Sequence, residues 1–319
     1  MASTATGRAA QGDGTTPVRR GRLEKLSGRD RLVLLVMAGI PTAVLLVMVW
    51  APALATILLS FTRWDGLGGV DQIRWIGLDN YRQIIDIYPP FWPAFWNNVR
   101  WLVFLLLVPT TFGLLMAYLL DREIRGSRFY QGALYLPVVL SLAVVGFIAQ
   151  LFLSQDFGFV NEALGSVGVR QHDPIDWLGD DRINIWAVMA FAAWRHAGYI
   201  MVLYLAGLKS VDRSLREAAQ IDGAGEWQTF RRVVFPSLRP INVVVLVVTV
   251  VEALRAFDLV YVINGGKNGL ELLSVLVTDN IIGEASRVGY GSALGVILFT
   301  LCVGFIVIYV TQNLREREA

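Results

Sequence analysis

The run Glu217-Ala218-Ala219-Gln220-Ile221-Asp222-Gly223-Ala224 sits inside a polar stretch, Lys209 to Arg239, that separates two long apolar runs. Ser214 to Ile221 are good helix formers, and Ser214 precedes Glu217 by three residues, the spacing of a capping box that satisfies free amides in a first turn. Gly223 and Gly225 then stop the helix. Small Ala218 and Ala219 beside that stop let another surface approach the backbone closely, while Glu217, Asp222, Arg231 and Arg232 flank the contact with charge. A helix lying on a membrane surface needs a larger apolar face than Leu215, Ala218, Ala219 and Ile221 provide. The segment reads as a docking knob for a partner protein.

The flanking runs set the environment. Hydrophobic residues make up 55% of the chain and charged ones 17%, and the mean hydropathy is +0.53, far from a soluble domain. A helix needs about 20 apolar residues to cross a bilayer. Six stretches qualify, at approximately 32–59, 101–120, 130–153, 184–208, 240–263 and 291–313. The expected fold is an all-α integral membrane protein: a disordered tail over 1–31, a six-helix domain over 32–313 with a polar loop at 209–239 between helices 4 and 5, and a short C-terminus at 314–319. The apolar run that follows Arg19-Arg20 is too long for a signal-peptide core, so it is expected to remain as a first helix, irregular at Pro41 and Pro52.

Lysine and arginine near span ends are retained on the cytoplasmic side. The tail, the second and fourth loops and the C-terminus hold 18 of them, against eight in the opposite loops. Both termini and the Glu217 loop are therefore expected in the cytoplasm. A net charge of +2 without a basic stripe gives no nucleic-acid partner. Cys302 is the only cysteine, which excludes an internal disulfide. Six carboxylates between Ser154 and Ile183, with His172, lack the spacing of a calcium or zinc site and read as a solvated loop. No metal or cofactor is expected. Trp64, Trp75, Trp92 and Trp96, with Trp101 at the edge of the second span, suit a membrane-water belt against lipid. No phosphate-binding glycine loop is present and no nucleophile-base pair stands out in the outside loops, so the chain is not expected to be an enzyme.

Charge also falls inside the spans. Glu252, Arg255 and Asp258 recur every three residues in the fifth, which places them on one helical face where adjacent members can pair. Tyr261 and Asn264, further along, add a stacking face and an amide. Two readings stay open for this face: a polar cavity for a hydroxylated solute, or an ion-pair cluster that fixes helix register. Both also stay open for Arg195 and His196, which have no partner in their own helix.

These residues resemble the permease subunits of binding-protein-dependent ABC importers, of the maltose and glycerol-phosphate sugar type, over about Leu32 to Gln312. The cytoplasmic signature of that family matches at Glu217, Ala218, Ala219, Asp222, Gly223, Ala224, Phe230 and Pro236, with Phe235 where leucine is usual. Gly77-Leu78-Asp79-Asn80-Tyr81, Leu136-Pro137, Gly158, Asn161 and Phe257 to Val262 extend the likeness. Asp212 replaces a frequent proline and is a residue type that caps helices. Asn264-Gly265-Gly266-Lys267-Asn268 departs from the usual outer turn. The resemblance implies half of a sugar pathway, with a second permease subunit, a cytoplasmic ATPase dimer gripping residues 217–224 and an extracytoplasmic solute-binding protein, in a bacterial plasma membrane. Two rivals are a proton-coupled secondary transporter using Glu252, Asp258 and His196, and a non-transporting scaffold.

Overall fold

The computed structural model describes residues 27–122, 124–169, 173–283 and 286–318. It divides into two compact units, Met1–Pro52 and Ala53–Ala319. In the first, Ser27 caps helix α1 (Gly28–Leu45): its hydroxyl accepts from Asp30 N at 3.2 Å, and the Asp30 carboxylate accepts from Ser27 N at 3.1 Å. Residues 28–31, assigned to the tail from sequence, are thus helical because a capping box starts them. The remainder of the expected tail, 1–26, lies outside the described residues. A π turn at Leu46–Trp50 leads into α2 (Ala51–Leu59). Pro52 has no N–H for the ladder, and a widened turn just ahead of it is the local adjustment such a ring requires.

The second unit starts within α2 and continues with a two-stranded antiparallel ribbon, β1 (Thr62–Arg63) and β2 (Arg74–Trp75), and helix α3 (Asp79–Asp86). The Gly77 to Tyr81 run fastens this corner: Asn80 Nδ2 donates to Ser60 O (2.8 Å) and Thr62 O (2.9 Å), and Tyr81 OH donates to Ser60 Oγ (2.7 Å). The helices that follow are α4 (Phe91–Asp121), α5 (Ser127–Val139), α6 (Leu142–Leu153), α7 (Phe159–Ser166) and α8 (Asn184–Ser210). Then come α9 (Arg213–Ile221), α10 (Glu226–Thr229), a π turn at Phe230–Val234 and α11 (Phe235–Ser237). Helices α12 (Arg239–Leu254), α13 (Asp258–Asn264), α14 (Leu273–Ile281) and α15 (Val288–Glu318) complete the chain.

Helices α4 and α8 are the axis of the bundle and run parallel. Trp101, Leu102 and Leu105 share one core with Ile185, Val188 and Met189, while Ala117 and Leu120 share the next with Ile200, Tyr204 and Leu208. Gly113 lies at their crossing, where a Cβ would come within 2.9 Å of Ala197 O and the Ile200 side chain. A third core joins Phe91 and Ala94 to Tyr290, Ala293 and Leu294, so α15 starts at the same end as α4. That end is closed by buried asparagines. Asn97 Nδ2 donates to Gly269 O and Glu271 O, and Asn98 Oδ1 accepts from Leu273 N.

Four helices among the described residues are long and apolar enough to cross a membrane: Gly28–Leu59, Phe91–Asp121, Asn184–Ser210 and Val288–Gln312. The expected third span is a pair, α5 and α6, bent by 98°, and the expected fifth is split into α12 and α13. Helix α4 begins ten residues before the span expected at 101. Trp101 therefore sits nearly three turns inside the helix, 2% exposed in the core, and not at its end.

Candidate functional site

The polar segment after α8 forms a capped helix with one face buried. Asp212, and not Ser214, is the N-cap: its Oδ1 accepts from Ser214 N at 2.9 Å, which puts Ser214 inside the first turn and removes the expected Ser214–Glu217 capping box. That same N–H holds the Asp212 carboxyl below the usual carboxylate range. Ala219 turns into the bundle, while Glu217, Ala218, Ile221 and Asp222 are exposed and Ala224 is half-buried. Ala219 thus serves packing, leaving Ala218 as the small residue on the outer face.

The helix ends in a Schellman motif. Ala224 N donates to Ala219 O and Gly223 N to Gln220 O, both at 3.0 Å, which requires Gly223 to take its left-handed φ of +81°. A Cβ at Gly223 would meet no atom within 4 Å, so the bare backbone there faces open space.

Two anchors tie this helix to the bundle. Arg216 Nη1 pairs with Asp121 at 2.7 Å and Arg216 Nη2 donates to Leu208 O at 2.9 Å. Phe230 is buried, 4.6 Å from the Tyr118 ring and flanked by Trp227 and Phe235. Arg122 adds an ion pair to Glu226 and lies over the Tyr118 ring. Sequence reading missed Arg216 and Asp121, because their contact joins positions 95 residues apart.

The second region is the pair of broken spans. Pro137 cannot donate within α5, Leu140 is extended, and Ser141 restarts the chain as N-cap of α6, accepting from Val144 N at 3.3 Å. Arg195 on α8 fills the gap: Nε donates to Leu140 O at 3.1 Å and Nη1 pairs with Glu252 Oε1 at 3.0 Å. His196 Nε2 and Thr249 Oγ1 share a buried hydrogen bond of 2.9 Å.

Glu252, Arg255 and Asp258 do not share a continuous face, as their spacing predicts. Helix α12 ends at Leu254, Arg255 is its cap, and Phe257 departs from helical geometry before Asp258 opens α13. Glu252 pairs with Arg195 and not with Arg255. The break is held from elsewhere by Ser274, whose Oγ donates to Ala256 O, while Gln150 Nε2 caps the far end of α13, donating to Val262 O (3.1 Å) and Ile263 O (2.8 Å). Arg255, Asp258 and Tyr261 are exposed, and Tyr261 stacks on Phe257 at 4.7 Å. Asn264 closes a turn, donating to Lys267 O and accepting from Lys267 N.

Long apolar helices, two of them interrupted, and an anchored helix with an open face define a multi-pass membrane transport subunit. The chain belongs to the family of binding-protein-dependent transport system inner membrane components, whose pattern matches residues 109–318. It is a permease subunit of an ABC importer, a transport component and not itself an enzyme. Similar proteins include the xylose/arabinose import permease protein XacH of Haloferax volcanii, 32% identical with 87% of each chain covered. The trehalose/maltose transport system permease protein MalF of Thermococcus litoralis is 27% identical, covering 86% of this chain and 91% of that one. Among solved structures, a bacterial ABC transporter that imports the acidic polysaccharide alginate matches with a TM-score of 0.76 at 22% identity, over 90% of this chain and 96% of its own. A second structure of an alginate transporter, in complex with an alginate pentasaccharide-bound periplasmic protein, gives 0.74 at 22%, over 88% and 93%. At that identity these structures speak to the fold.

Proposed function

We propose that this chain forms half of the translocation pathway for a sugar or related hydroxylated solute in a bacterial plasma membrane. Its partners are a second permease subunit, a cytoplasmic ATPase dimer and an extracytoplasmic solute-binding protein. The chain crosses six times with both termini in the cytoplasm. The common starting end of α4, α8 and α15 supports this, since the chain must return between them through the α5–α6 and α12–α13 pairs. The excess of basic residues at the α9 end supports its cytoplasmic placement.

The observation that carries the reading is the anchored helix α9. Its outer residues Glu217, Ala218, Asp222 and Gly223 are open to a partner, while Arg216 and Phe230 fix it to α4 and α8. Motion imposed on such a helix passes to the bundle as a rigid-body shift. Sugar is the solute class in the names of XacH, a xylose/arabinose import permease, and MalF, of a trehalose/maltose transport system. Exposed Arg255, Asp258 and Tyr261 support a pathway role, offering charge, hydrogen bonds and an aromatic face. Glu252 acts through Arg195, and Asn264 shapes the outer turn.

Gly223→Asp tests the docking role. Uptake driven by ATP should fall by well over tenfold, a binding loss of about 1.4 kcal/mol or more, with the protein still in the membrane. Gly223→Asn keeps the left-handed turn more readily and should also lose uptake, because its side chain still covers the bare backbone. Wild-type uptake in both variants contradicts the docking role.

A further inference from the structure

At the end of the bundle opposite the β ribbon, α4, α5, α8 and α9 enclose an open bowl of about 1070 Å³. Five cations line it, Arg122, Arg128, Lys209, Arg213 and Arg216, against two carboxylates. Both carboxylates are engaged, Asp121 by Arg216 at 2.7 Å and Glu217 by Arg213 at 3.5 Å. Arg122 is paired with Glu226. Arg128 and Lys209 are exposed and have no anionic partner among the described residues. Among the described residues, the bowl therefore presents two cations without an anionic partner above an apolar floor that includes Leu120, Leu208 and Val211.

Beside the bowl-lining Ser127 and Arg128 in the chain, Ile124, Phe129 and Tyr130 are 43%, 76% and 48% exposed. Aromatic side chains exposed at the end of a spanning segment settle at the depth of lipid headgroups. A soluble partner would have to desolvate the cations and cover an exposed phenylalanine, whereas a lipid satisfies both with one molecule, its phosphate on the cations and its acyl chains against the neighbouring exposed Phe129 and Tyr130. Basic pockets between spanning helices on the cytoplasmic side have this chemistry.

We propose that the bowl binds the headgroup of an anionic phospholipid, with Arg128 and Lys209 holding the phosphate. The choice of leaflet rests on the cytoplasmic placement of α9 proposed above; the site itself does not depend on docking at Gly223. Lipid bound there bridges α5 to the root of α9, so its occupancy stiffens the attachment of the docking helix.

The test uses the full chain, with its co-purifying subunits, in nanodiscs of phosphatidylglycerol and phosphatidylcholine, read by native mass spectrometry. A phosphatidylglycerol adduct should survive release and phosphatidylcholine should not. Arg128→Gln with Lys209→Gln should weaken retention roughly thirtyfold, two cations each worth about 1 kcal/mol of surface attraction. Arg125→Gln, an exposed arginine outside the bowl, should leave retention unchanged, and Arg128→Lys should preserve most of it. Equal retention of both lipids, or no effect of the double substitution, overturns the proposal. Full competition by millimolar inorganic phosphate overturns it in favour of a free-anion site. Loss of the ATPase from the double variant with lipid retained overturns it in favour of a protein contact. In each of these cases the Gly223 result stands independently.

Discussion

A guanidinium at the depth of Arg195 costs roughly 2.5–3.5 kcal/mol to insert, and its location between two helix breaks accounts for its presence. It supplies a donor to the Leu140 carbonyl that the α5–α6 bend leaves free, and it balances Glu252 just before the second break. Removing one partner of a buried pair costs roughly 3–5 kcal/mol. The side chains here are 22% and 30% exposed, so the loss should be about 2–3 kcal/mol after water relieves part of it. Arg195→Gln is therefore expected to lower the thermal midpoint in detergent more than Arg195→Gln combined with Glu252→Gln, in which no charge is stranded. A double variant that loses the sum of the two singles would show that the residues act separately. Sequence reading flagged both residues as costly but could not join them. Their contact spans 57 positions, and the three-residue spacing of Glu252, Arg255 and Asp258 has meaning only if the helix continues past Leu254.

Gly223, at the level of the element, was legible because a glycine following a run of helix formers marks a left-handed stop. The start of α9 was less so, since Asp212 and Ser214 are both good caps and only the backbone geometry chooses between them. The bend between α5 and α6 carried local signals, Pro137 and Ser141, that the apolar run of span 3 concealed. The break after Leu254 carried none: Arg255, Ala256 and Phe257 include neither glycine nor proline, and the group that holds it, Ser274, comes from a distant segment. The π turn that starts at Phe230 hides a structural anchor within a signature motif. Phe230→Ala should cost roughly 3–5 kcal/mol and free the segment, seen as faster proteolysis between Arg213 and Arg239 together with lost uptake. Trp227→Ala, at a residue 66% exposed, should leave proteolysis nearly unchanged. Equal protection in both variants would show that Phe230 is not the anchor.

For the whole molecule, composition made the membrane environment plain, and the parallel course of α4, α8 and α15 requires the chain to return an odd number of times between each successive pair. What sequence could not give was the discontinuity of the two return spans. Interrupted helices expose backbone carbonyls and charges at membrane depth only where protein or a water-filled path receives them. That arrangement suits a subunit that moves in response to an external motor and has no nucleotide loop of its own. The central claim is that α9 faces the cytoplasm and meets the ATPase there. Ala218→Cys, in a Cys302→Ser background, places a single thiol on its exposed face. A membrane-impermeant thiol reagent applied to sealed vesicles of each orientation should label it only from the cytoplasmic side, with labelling suppressed when the ATPase subunits are bound. Labelling from the outer side, or labelling indifferent to the ATPase, would contradict the account.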